Sequence, residues 1–240
     1  MSSHWSQARR LLTAALMIGA AFLIGRAHHT GAADSGYKVH VVQDSAPQEL
    51  TAAVRETMAP DALRISGPDG HFGTLWLRQN IPPASSTNRA PGVAFGQLSE
   101  GSLIGAVRIA GTAADYRNQA IRPGVYTLRY DIQPIDANHA GVSPYRDFLL
   151  LVPASLDLTP APILGKDLLD DSRKASGTTH PLVLSLLPPD AAPVTIPVVT
   201  HVADGDLWVL YFRAAVPAAA TNPGPAVLGL IIVGHVLDAS

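Results

Sequence analysis

From Val125 to Gln133 apolar and polar positions alternate along the chain. Tyr126, Leu128, Tyr130 and Ile132 fall on one side, and Val125, Thr127, Arg129, Asp131 and Gln133 on the other. A period of two predicts a strand with one face in a core and the other towards water or a ligand. Pro123-Gly124 starts it, and a second apolar strand is expected over Phe148 to Val152. Between them lies the densest polar loop of the sequence, Pro134 to Tyr145, which carries Asp136, Asn138, His139, Ser143 and Tyr145.

The same pattern predicts further strands. Lys38 to Gln43 alternates, and Ala62 to Ser66 with His71 to Gln79 reads as a hairpin around Gly67-Pro68-Asp69-Gly70. Val93 to Leu98, Ser102 to Ala110 and Leu182 to Leu187 are expected strands. Ile196 to Ala203 and Asp206 to Arg213 make a hairpin in which Asp204-Gly205 suits a two-residue type I′ turn. Leu207 to Phe212 is apolar on both faces and should lie centrally, and Val227 to Leu237 reads as a buried final strand.

Two stretches have helical spacing. Pro47 to Met58 places Leu50, Val54, Thr57 and Met58 at helical intervals, with Ser45 as cap and Pro60 as stop. Lys166 to Ala175 carries the i,i+4 pairs Lys166/Asp170 and Asp170/Lys174, with Gly177 as a C-terminal stop. It reads as a short solvent-facing helix. About ten closely spaced strands with two short helices, and no βαβ alternation, predict an antiparallel β-sandwich in one domain, residues 34–240.

Composition supports this class. Twenty prolines and twenty glycines in 240 residues, with 15% charged residues, suit short elements joined by turns. The amino terminus reads differently. Arg9 and Arg10 precede an apolar run from Leu11 to Gly25, and small residues follow at Gly31, Ala32 and Ala33. This is the pattern of a signal peptide over residues 1–33, and the run is short of the ~20 residues a spanning helix needs. The expectation is a periplasmic or secreted protein that meets the membrane only through that segment before cleavage.

Without Arg9, Arg10 and Arg26 the chain has 14 basic and 19 acidic residues, a net charge of −5. Such a chain, lacking a basic stripe, does not read as a nucleic-acid binder. Cysteine is absent, which excludes disulfides, thiolate chemistry and cysteine-ligated zinc.

Catalytic signatures are missing. Gly141-Val142-Ser143-Pro144-Tyr145 is half of a G-x-S-x-G elbow, with Tyr145 in place of the second glycine. H-E-x-x-H, the P-loop and the dinucleotide glycine pattern are absent. Six histidines follow residue 33: His40, His71, His139, His180, His201 and His235. His139 and His180 sit in polar loops, and with Asp136 they form a candidate divalent-metal set for copper or zinc. His40 and His235, within strand patterns, read as structural. Arg129, Tyr145, Arg146 and Asp147, joined by His139, form the other constellation, suited to a carboxylate, phosphate or sugar, or else to cross-strand pairing of Arg146 and Asp147 on the exposed face. Trp76 and Trp208 read as core.

The run PGVYTLRY…NHAGVSPYRDFLLLVPA, with SRKASGTTHP further on, resembles a group of exported bacterial proteins of unassigned function. The resemblance extends from about Pro47 to Pro181 and implies no activity. The expectation is therefore a non-catalytic module binding a small molecule or an envelope protein, with the loop 134–147 beside the turn 177–181 as its binding end. The alternatives are a periplasmic copper- or zinc-binding protein using His139 and His180, and a hydrolase without a recognisable signature.

Overall fold

The alternating segments become strands of one antiparallel sheet in the computed structural model, which describes residues 36–136, 143, 145–189, 195–218 and 224–234. In chain order the elements are β1 (Lys38–Gln43), α1 (Ala52–Arg55), β2 (Asp61–Gly67), β3 (Gly70–Leu77), β4 (Leu103–Ile109), β5 (Ala113–Ala114) and β6 (Ala120–Ile121). They continue as β7 (Gly124–Ile132), β8 (Asp147–Pro153), α2 (Gly165–Ser176), β9 (Val183–Leu187), β10 (Val198–Val202), β11 (Leu207–Ala214) and β12 (Ala226–Val233). Ten strands hydrogen-bond in the order β1-β2-β3-β4-β7-β8-β9-β12-β11-β10, while β5 and β6 pair separately.

The mainly antiparallel β class holds, but one sheet curls round on itself where two facing sheets were expected. Its edge strands β1 and β10 approach without pairing, so the barrel is nearly closed. Beside that seam Tyr37 meets Trp208 at 5.4 Å between ring centroids. Strong sheet twist and a filled interior make such curling the way to bury one apolar face of many strands.

Inward residues of every long strand build that interior. Leu63, Leu75, Val107, Leu128, Tyr130, Leu149, Leu186, Phe212 and Leu230 belong to one cluster. It leaves a void of only about 20 Å³, lined by side chains such as Ile65, Leu75 and Ile121, too small and too apolar for a ligand. Leu207 to Phe212 is buried on both faces as expected: Leu210 and Phe212 point inward, and Val209 and Tyr211 pack with Ile231.

Several local expectations are corrected. The first helix is a single turn capped by Thr51, whose hydroxyl accepts the Val54 N–H at 3.3 Å. It stops because the chain pairs with the end of β3: Ala59 N–H bonds Leu77 O at 2.8 Å and Gln79 N–H bonds Thr57 O at 2.9 Å. Val93 to Leu98 is a series of turns, not a strand, because the Asp147 carboxylate takes its N–H groups; Phe95 and Leu98 enter the barrel core. The Asp204-Gly205 turn spans Ala203 to Asp206, with positive φ at Gly205 and Asp206. Asp170 pairs with Lys166 and Arg173, and Lys174 turns to Asp171.

The outer wall is covered more than alternation suggests. Leu50, Val54 and Met58 lie over Trp76, Leu103 and Ala106. Helix α2 is amphipathic, not simply solvent-facing: Leu168 is buried against Phe148, Leu150 and Val152 on the outer face of β8.

Candidate functional site

The polar loop after β7 was the expected binding end, and the structure separates its residues into anchors and cleft. Arg129, on the outer face of β7, is not open to water or a ligand. Its Nε and Nη2 meet the two Asp157 carboxylate oxygens at 2.7 and 2.6 Å. Nη1 donates to Gly101 O at 2.8 Å and Ala161 O at 2.7 Å, and Nη2 also reaches Thr159 O. All five donors are taken by the protein, so none remains for a ligand.

Asp147 is equally enclosed. Its carboxylate accepts N–H groups from Ala94 at 2.7 Å and Phe95 at 3.0 Å, and the Tyr130 hydroxyl at 2.6 Å. Burial, reinforced by that carboxylate, pushes the Tyr130 hydroxyl far above its ordinary range. Arg146 donates from Nε to Gln133 O at 2.7 Å and from Nη1 to Pro91 O at 3.1 Å, pinning two loops together. Tyr145 is half-buried and Asp136 exposed. His139 and His235 lie outside the described residues.

The two regions expected to adjoin do so. Gln133, Pro134 and Ser143 from the loop after β7 share one cleft with Thr179, His180 and Pro181 from the turn after α2. The cleft holds about 240 Å³ between α2 and the outer face of β8 and β9. Phe148, Leu169 and Val183 give it apolar walls, and Arg117, Arg173 and His180 supply positive or proton-donating groups. No carboxylate belongs to the lining among the described residues.

A hydrogen-bonded frame holds these groups in place. Asp115, buried, accepts the N–H groups of Arg117 at 3.0 Å and Gln119 at 2.8 Å and so closes the loop bearing Arg117. Burial raises the Asp115 carboxyl above its ordinary range, opposed by N–H donors from Gln119, Arg117 and Val183. Gln119 Nε2 donates to Pro181 O at 3.2 Å, and the Thr178 hydroxyl donates to Gln119 Oε1 at 2.8 Å. Ser176 Oγ donates to His180 O at 2.7 Å. Gly177, left-handed at the end of α2, sends its N–H to Arg173 O and turns the chain towards His180.

Arg173 is held from Nε by Thr179 O at 2.9 Å and from Nη1 by Asp170 at 2.7 Å. Arg117 Nη2 stands 3.4 Å from His180 Nδ1. Guanidinium only donates, so the contact is a hydrogen bond only when Nδ1 accepts, with a ring proton on Nε2. A serine triad would place a carboxylate where this guanidinium stands. A metal at His180 would face the same positive neighbour. Among the described residues no three His, Asp or Glu side chains gather to hold a metal. The Ser143 hydroxyl oxygen is buried at the cleft without a hydrogen-bond partner among the described residues.

Among the expected site residues that are described, only His180 lines the cleft. Arg117 and Arg173 escaped the sequence reading because one lies in a short polar connection and the other within a charged helix. The Asp115-x-Arg117-x-Gln119 spacing was the available clue, since an aspartate that bonds the N–H two residues on makes a rigid turn. His40, expected to be structural, is exposed on the outer face of β1.

Together these features define a class: a nearly closed antiparallel β-barrel with a filled interior and a cationic cleft on its outer wall. No family model, curated protein or solved structure matches the chain.

Proposed function

We propose that this protein is an exported, non-catalytic binding module whose cleft takes a small organic carboxylate with an apolar body. The observation that carries the reading is the convergence of Arg117, Arg173 and His180 around the apolar surface of Phe148, Leu169 and Val183, with no lining carboxylate among the described residues. Fixed donors facing an apolar wall suit a ligand with one charged end and one greasy end. The volume, below the ~300–1,000 Å³ of drug-sized sites, favours a small ligand. The Ser143 hydroxyl, without a partner among the described residues, supplies a further group to such a ligand. Export rests on the charged, apolar and small-residue sequence of residues 1–33, and the periplasm or the cell exterior is the proposed location.

Residues 34–240, made without a histidine tag, are to be titrated calorimetrically with benzoate, phenylacetate and isovalerate and melted with each. Saturable binding lost in Arg117→Gln/His180→Gln supports the reading. Absence of binding by all three overturns it. Stoichiometric zinc or copper that disappears in His139→Ala or His180→Ala would replace it with a metal site. Amino-terminal sequencing of protein recovered outside the cytoplasm checks cleavage before Asp34, and an intact Met1 terminus refutes it.

A further inference from the structure

A larger concavity lies elsewhere, on the outer face of β1 to β4. Strand register sets His40 opposite Arg64, Arg64 opposite Thr74, and Thr74 opposite Arg108. Neighbouring strands are about 4.8 Å apart, so these four side chains form one row across about 14 Å of sheet. The next row along brings Ser66 opposite His71, after an irregularity at Ile65/Ser66. His71 Nε2 stands 3.4 Å from the hydroxyl of Thr74, which is buried at the floor.

The segment 44–49 makes this row the floor of a groove. Trp76 Nε1 donates to Asp44 O at 2.8 Å and fixes the segment to the sheet. The residues that follow it, Leu50 and Val54, cover the neighbouring positions of Trp76 and Ala106 but stop short of the polar row. The groove left open holds about 560 Å³, more than twice the cleft beside α2.

Its chemistry departs from that of the whole chain. After residue 33 acidic residues outnumber basic ones, yet the lining carries Arg64, Arg108, His40 and His71 against Asp44 among the described residues. Arg108 is forked on Glu49 at 3.0 and 3.2 Å, which holds its guanidinium at the rim. Arg64 is tied loosely, 3.5 Å from Asp44, with both side chains substantially exposed. The Arg64 guanidinium, two imidazoles and the hydroxyl-bearing Ser66 and Thr74 line the groove together. That arrangement suits a tetrahedral oxyanion, whose oxygens accept several hydrogen bonds at once, better than a planar carboxylate.

We propose that this groove is a second binding site, taking a phosphate or sulfate ester of a polyol or saccharide, with the ester at Arg64 and His71 and the polyol along the row towards His40. It is independent of the cleft beside α2. Residues 34–240 are to be titrated with glucose 6-phosphate and with inorganic phosphate, and sedimented with phosphatidylcholine vesicles with and without phosphatidylglycerol. Saturable binding of the sugar phosphate, tighter than that of inorganic phosphate, is expected. Arg64→Gln/His71→Gln should weaken it about ten-fold or more, the loss of a charge-assisted contact, and Arg117→Gln/His180→Gln should leave it unchanged. Both pairs include solvent-facing side chains, and melting curves confirm that the variants stay folded. Binding confined to phosphatidylglycerol vesicles and lost in the first pair supports the same site with a lipid headgroup as source. No binding to any probe, or binding undiminished in Arg64→Gln/His71→Gln, overturns the proposal.

Discussion

Arg129 and Asp157 meet end-on inside the outer wall, two guanidinium nitrogens against two carboxylate oxygens, with both side chains at 0% exposure. The pair ties the segment after β8 to β7, and Thr127 adds its hydroxyl to the same carboxylate. Removing one partner strands a buried charge, which costs about 3–5 kcal/mol, a large share of the 5–15 kcal/mol that holds a domain together. Asp157→Asn should therefore lower the urea midpoint sharply. Arg129→Met/Asp157→Leu should lose less than the sum of Arg129→Met and Asp157→Leu. Additive losses would show that the pair acts as two unrelated contacts.

Asp131 follows Arg129 on the same face and is pushed up to about 6, by burial first and then by Glu100, against an N–H bond from Ile132. The folded state thus keeps a proton that the unfolded chain releases near pH 4. Stability from this group is full below about pH 4 and is lost as pH rises through 6. Asp131→Asn should be more stable than the parent above pH 6, by about 1 kcal/mol after allowance for partial solvent screening. Melting temperatures at pH 4.5 and 7.5 test it. An equal difference at both values would remove Asp131 as the cause.

Gly101 and Gly70 separate strain from crowding. Both have positive φ, 75° and 106°, but a Cβ at Gly101 would lie 2.0 Å from Ile163 O, whereas at Gly70 nothing lies within 4 Å. Gly70→Ala should cost about 1–2 kcal/mol, the price of a left-handed alanine. Gly101→Ala should cost several times more, because Ile163 N–H bonds Gly101 O and holds the crowding backbone in place. Denaturant titration of the two variants decides it, and equal losses would contradict the geometry.

Gln119 touches the cleft only through others, joining Thr178 to Pro181. As a positioning residue it should matter for binding more than for folding. Gln119→Ala is expected to weaken the carboxylate ligand about ten-fold, the loss of preorganisation, while stability changes by about 1 kcal/mol or less. Gln119→Glu should keep an acceptor for Thr178 but lose the donor to Pro181 and face the Asp115 carboxylate, so it should not restore the affinity. A large fall in melting temperature without loss of affinity would assign Gln119 to the fold alone.

Periodicity was enough for the long strands, though not for Val93 to Leu98, because burial of one face is a local demand on the sequence. Tyr126, Leu128 and Tyr130 fall on one side of β7, and the structure places all three in the core. The same reading could not tell that the other side is buried too. Thr127 and Arg129 look like surface residues until the segment after β8, distant in sequence, folds over them.

Mainly antiparallel β structure, two helical stretches and the hairpins at residues 67–70 and 203–206 were legible in the sequence by itself. Each depends on side-chain periodicity or on turn chemistry. Tertiary structure alone decided that the sheet curls into a near-barrel, that Asp147 and Arg129 are internal anchors, and that Arg117 and Arg173 join His180. It alone set His40, Arg64, Thr74 and Arg108 in one row. The reason is physical: a strand's own residues select its faces, but which strand lies beside it, and what covers its outer face, depends on packing between segments far apart in the chain.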